Sequence, residues 1–170
     1  MNRILIIGYG NPDRQDDGVA WYVIDRLARA FGLPAAAEGE EETARSTDRA
    51  DLIFQLQLMP EIAEIVARYD FVCFVDAHTG AVKEDLHVDR ILPTYQTSPF
   101  THHMTPQTCL SIAENLYHHQ LQEAILISIR GYAFGFTRDL SDPTLALAGE
   151  AVQTISGWIQ EKSSGTQPER

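Results

Sequence analysis

The run Phe71-Val72-Cys73-Phe74-Val75 is apolar without a break and is closed by Asp76. A strand with apolar side chains on both faces must be covered on both faces, which is the position of a central strand in a parallel sheet. Ile4-Leu5-Ile6-Ile7, closed by Gly8, repeats the pattern at the start of the chain. Between such runs the spacing turns helical. Val19, Val23, Leu27 and Phe31 recur until Gly32-Leu33-Pro34 stops the helix. Met59-Pro60 opens a second helix through Ile62, Ile65 and Val66 to Tyr69, and Thr105-Pro106 a third through Leu110, Ala113 and Leu116, with proline at the first helical position in each. Asp142-Pro143 starts the last, carrying Leu145, Ala148, Val152, Ile155 and Ile159. Further strands are expected over 52–58, 86–92 and 124–129. Strands alternating with helices predict an α/β layer sandwich with a largely parallel sheet. Residues 34–50 hold almost no large apolar side chain, and the acids of 38–42 read as a solvated loop. One domain is expected over 1–161, with a disordered tail over 162–170.

Charge narrows the function. The chain has 170 residues, with 13 Lys plus Arg against 24 Asp plus Glu, a formal net charge of −11. That balance argues against a reader of phosphate backbones, which needs a basic stripe, and against docking on an anionic membrane surface. No apolar run approaches the ~20 residues of a membrane span. Cys73 and Cys109 are the two cysteines and form no CxxC pair, which points away from a disulfide framework and to a reducing cytoplasm.

Ligands of open α/β sheets collect outside the carboxyl ends of the strands. Asp16 and Asp17 lie in the loop after the first strand, Asp76 and His78 after the third, and His102-His103 just before a helix start. Two carboxylates and an imidazole on one rim suit a borderline divalent metal or general acid–base work. Plainer readings stand beside this one. An Asp pair ahead of a helix can be a cap and dipole partner, an Asp at a strand end can form a turn, and a His pair at a helix start can be exposed. His118-His119 at a helix end favours the C-terminal dipole, and His87 reads as structural. Gly8-Tyr9-Gly10-Asn11-Pro12-Asp13 begins like a dinucleotide fingerprint, but Asp13 stands where the third glycine belongs and no P-loop lysine follows. Cys109, one turn into a helix, is a minor candidate nucleophile. There is no G-x-S-x-G elbow.

Gly10-Asn11 followed by Asp16-Asp17-Gly18, then Phe74-Val75-Asp76-Ala77, then Thr101-His102-His103 before a helix, resembles the hydrogenase maturation endopeptidases over nearly the whole chain. These enzymes trim the C-terminus of the large subunit of nickel–iron hydrogenases. The resemblance implies an α/β/α sandwich on a twisted five-stranded sheet. It implies a metal-accepting point made by Asp17, Asp76 and His103, with His102 as the alternative to His103. Pro106 at +3 and Leu110 at +7 favour the register of His103. Asp17 and Asp76 are then the catalytic carboxylates, either of which could activate water, and Asn11, Asp16 and Gln57 the candidates for substrate contact. The nickel is expected to be presented by the substrate, a large-subunit precursor, with no metal tightly bound to the free protein; no zincin-type HExxH is present. Where many relatives have a Gly-Gly-Thr-type recognition loop, this chain has Gln55-Leu56-Gln57-Leu58-Met59-Pro60, which leaves the target hydrogenase open. The alternative from another class is a non-catalytic nickel-sensing or hydrogenase-docking protein using the same residues.

Overall fold

The computed structural model describes residues 1–37, 42–96 and 103–165. Its centre is a sheet of parallel strands: β1 (Ile4–Tyr9), β3 (Asp51–Gln55), β4 (Phe71–His78) and β6 (Glu123–Arg130). Two antiparallel strands close the edges, β2 (Thr43–Ser46) beside β3 and β5 (Leu86–Arg90) beside β6. The order is β2-β3-β1-β4-β6-β5.

Strand alternation sorts the core into two layers. Ile4 and Ile6 of β1 face α1 (Val19–Ala30) and α4 (Asp142–Ser163), packing with Val23, Leu27, Ala148 and Ile155. Leu5 and Ile7 point the other way, toward α2 (Ile62–Val66) and α3 (Pro106–Tyr117), packing with Ile62, Val66, Leu110 and Ala113. The expected α/β/α sandwich is the observed one. In α3, Thr105 is the N-cap, its hydroxyl accepting from Thr108 N at 3.1 Å, with Pro106 at the first helical position.

The sheet has six strands, not the expected five. The extra one, β2, lies in the segment read as a solvated loop; the acids at 38–41 of that segment fall outside the described residues. Thr43-Ala44-Arg45-Ser46 has no apolar alternation to announce a strand. It is held by pairing with β3 and by Arg45, which donates to the Pro34 carbonyl at 2.7 Å and meets Asp25 of α1 at 3.3 Å. Asp25 is itself buried at 3% exposure and is shared with Arg29 and the Ala36 amide.

Other boundaries shift. β3 ends at Gln55, so residues 56–58 leave the sheet, and β4 runs two residues past Asp76. Ser141, not Asp142, occupies the N-cap position of α4. The tail expected from 162 begins inside α4, because Lys162 pairs with Glu123 at 3.1 Å and its carbonyl accepts from the Asn2 side chain at 2.7 Å. Among the described residues, no helix is long and apolar enough to cross a membrane.

Candidate functional site

All four parallel strands end on one side, and the loop after β1 crosses that edge first. It is an irregular 3-10 segment, Pro12–Gly18. Its glycines are fixed by close approach. Gly10 has φ 143°, and a Cβ there would stand 2.1 Å from the Asp17 carbonyl oxygen; at Gly18 a Cβ would meet Pro12 Cα at 2.4 Å. The two ends of the loop are therefore pressed together, and no larger residue fits at either contact. Asn11 completes the closure. Its backbone N–H donates to Asp17 Oδ2 at 3.0 Å, while its side-chain oxygen accepts from Asp13 N at 3.0 Å. The spacing from Gly10-Asn11 to Asp17-Gly18 is the length of loop that holds the Asp17 carboxylate in place.

The adjacent acids do opposite work. Asp17 opens into a cleft of about 760 Å³ lined also by Tyr9, Asn11, Arg14, Glu42, Gln57, Met59, His103 and Met104. Asp16 turns inward and is 0% exposed. Its carboxylate accepts from the amides of Tyr132 (2.8 Å), Ala133 (2.9 Å) and Ser141 (2.8 Å) and from the Ser141 hydroxyl (2.6 Å), with the Thr144 hydroxyl at 2.9 Å. Burial acts to raise its pKa, but these hydrogen bonds outweigh it and hold the carboxyl below its usual value. Asp16 was a candidate for substrate contact; it is a staple between the first loop and the segment 131–144, and no substrate can reach it.

Asp76 is half-buried and bonded to Tyr9 of the cleft lining. Its Oδ2 accepts from the Tyr9 hydroxyl at 2.9 Å, and its Oδ1 is buried with no hydrogen-bond partner. Ser128, its register partner on β6, favours the charged form without reaching hydrogen-bond geometry at Oδ1. Burial nevertheless pushes the Asp76 pKa up, and the nearby Asp17 charge pushes the same way against Ser128, Tyr9 and His78. The Tyr9 phenol rises far above its usual value, through burial first and then the Asp76 charge.

Asp17 and His103 thus share one cleft, and Asp76, bonded to Tyr9 of its lining, is close enough to Asp17 to feel its charge. Asn11 and Gln57 line the same cleft, the Gln57 amide donating to Met59 Sδ at 3.4 Å. His102 lies outside the described residues. Among the described residues, no three His, Cys, Asp or Glu side chains stand close enough together to hold a metal ion, so the expected three-ligand point is not closed. The donors themselves, two carboxylates and an imidazole, are of the kind that suits a borderline divalent ion, and Asp76 Oδ1 is a buried acceptor without a hydrogen-bond partner.

The remaining candidates are accounted for structurally. His78 is locked, Nδ1 accepting from Gly80 N at 3.1 Å and Nε2 facing the Asp85 carbonyl at 3.3 Å. His119 meets the Tyr69 carbonyl at 2.6 Å, and His87 lies 3.3 Å from Glu84. Burial pushes the Cys109 thiol up to about 12, which removes it as a nucleophile. Sequence reasoning missed Tyr9 and Met104. The signal for Tyr9 was present: β1 and β4 are parallel neighbours with Gly8 opposite Val75, which sets Tyr9 beside Asp76.

No protein-family model matches the chain, and no curated protein does. Solved structures do. The hydrogenase maturating endopeptidase HybD from E. coli superposes with a TM-score of 0.69 at 16% identity, covering 94% of this chain and 93% of that one. The [NiFe] hydrogenase maturation protease HycI from Thermococcus kodakarensis gives 0.64 at 21%, covering 94% and 93%. A hydrogenase 2 maturation peptidase from a Thaumarchaeota archaeon gives 0.60 at 19%, covering 92% and 97%. The chain has the fold of the hydrogenase maturation endopeptidases, the group its motifs resemble.

Proposed function

We propose that this protein is an endopeptidase that removes the C-terminal extension of a nickel-loaded large-subunit precursor of a nickel–iron hydrogenase. The observation that carries the reading is the convergence of Asp17 and His103 on one cleft, with the half-buried Asp76 bonded to Tyr9 of its lining. The fold shared with solved maturation proteases supports it. So does the size of the cleft, which lies in the range of about 300–1,000 Å³ typical of ligand sites.

Peptide hydrolysis needs a water activated for attack, a carbonyl made electrophilic and a proton for the leaving amine. Asp17 is held by the Asn11 amide and open to the cleft, so it is placed to take a proton from water. Asp76, whose pKa is pushed up chiefly by burial, is placed to hold a proton for the leaving amine. The new bond is carbon to oxygen and the broken one carbon to nitrogen, with the water proton passing to the amine. The nickel is substrate cargo, held by the precursor; Asp17, Asp76 and His103 are the side chains that would meet it, and Asn11 and Gln57 face the peptide. The free protein is accordingly expected to take up nickel or zinc only weakly. Cytoplasmic action belongs to the same proposal and rests on two buried thiols with no disulfide.

The test is mass. A precursor incubated with the protein should lose its C-terminal extension, and a nickel-free precursor should not. A precursor that is bound but keeps its mass would make this a docking protein.

A further inference from the structure

Segment 131–141, between β6 and α4, carries an aromatic side chain that the fold does not use. Phe136 is 97% exposed. A single exposed apolar residue on a loose loop needs no explanation, but this loop is clamped on both sides of it. On one side Gly135 N donates to Gln15 Oε1 at 3.1 Å; on the other the Thr137 carbonyl accepts from Gln15 N at 2.8 Å. One residue therefore grips both neighbours of Phe136, with its side chain and with its backbone. Gln15 does so from φ 52°, ψ −113°, a conformation that non-glycine residues rarely adopt and that persists only when the surroundings impose it. Arg138 is tied to Asp13 at 2.7 Å, and the buried Asp16 carboxylate holds Tyr132, Ala133 and Ser141. The contacts that flank the displayed phenylalanine most closely come from residues 13–16, the stretch that ends at Asp17.

We infer that Phe136 is a preorganised docking residue for the folded body of the same precursor whose extension enters the cleft. The inference rests on the processing reading for the identity of the occupant. A macromolecule whose scissile bond lies at Asp17 brings its folded body to the loop that ends there, and the same loop, through Gln15, holds Phe136. A rigid, fully exposed aromatic loses little conformational freedom on burial and fits an apolar pocket on a folded partner, as interface hot spots do. Strain concentrated at Gln15 has a use in this arrangement, since it fixes the angle at which the ring is presented.

The test is titration of the full-length protein with a nickel-loaded large-subunit precursor, comparing the parent with Phe136→Ser and Phe136→Trp. Serine should weaken binding by about tenfold or more while tryptophan stays within about threefold, as expected for a central aromatic anchor. The melting temperatures of all three should agree, because the ring packs on nothing. A serine variant that binds and trims the precursor like the parent overturns the docking surface alone. A parent dimer that serine disperses, with precursor binding unchanged, assigns the ring to a second copy and also overturns it. A parent that neither binds nor trims the precursor contradicts the processing reading itself and removes the occupant with it.

Discussion

Asp16 and Asp17 are identical in chemistry and adjacent in sequence, yet one is buried in a network of hydrogen bonds and the other opens into the cleft. Replacing Asp16 with Asn puts an amide donor among donors and forfeits charged hydrogen bonds worth about 1.5–3 kcal/mol. Asp16→Asn should therefore be destabilised on the order of 2–3 kcal/mol at neutral pH, read by denaturant unfolding. Because the Asp16 pKa is lowered by folding, its contribution is present above the ordinary carboxylate value and lost as pH falls through the lowered one. The gap between parent and variant should close over that acidic window. Asp17→Asn keeps an oxygen for the Asn11 amide and should fold as well as the parent while failing to process a precursor. Asp76 has the opposite sign. Its folded pKa is raised, so the contribution of its protonated form is complete below the ordinary value and lost as pH rises through the raised one. Burial therefore penalises its charged form, and Asp76→Asn should melt at or above the parent temperature with no processing. The sequence set Asp17 and Asp76 apart from Asp16 by resemblance, but gave Asp16 to substrate contact, because its inward turn depends on segment 131–144, far away in the chain.

At the scale of elements, the legible parts were those whose covering is local or symmetric. β1 and β4 read as strands because both faces are apolar, and α3 because Thr105 and Pro106 form a self-contained start. β2 did not, since its Thr-Ala-Arg-Ser gains its conformation from β3 and from the Asp25–Arg45 contact rather than from its own pattern. Helix α2 was expected to reach Tyr69 and is confined to Ile62–Val66. The first loop lies between these cases. Its motif was visible, but its reason, backbone pressed on backbone at Gly10 and Gly18, is a matter of geometry. Gly10→Ala should displace Asp17 and remove processing even where the protein still folds, which circular dichroism and precursor mass together would check. By contrast Val75→Ala, in the buried centre of β4, should cost on the order of 1–3 kcal/mol and leave processing intact.

For the whole molecule, the parallel sheet brings the ends of β1 and β4 together, so that Tyr9 bridges toward Asp76 while the loop after β1 sets Asp17 in the open cleft. His103 reaches the same cleft from the segment that starts α3. The arrangement brings two carboxylates, one open to the cleft and one largely withdrawn from it, near an imidazole without closing them into a cage. The most direct measurement is the intact mass of a hydrogenase large-subunit precursor after incubation with this protein, in nickel-loaded and nickel-free forms, with Asp17→Asn in parallel. Loss of the C-terminal extension from the nickel-loaded precursor only, and only with the parent, is the expected result. An unchanged mass with the parent, or equal trimming by Asp17→Asn, would contradict it.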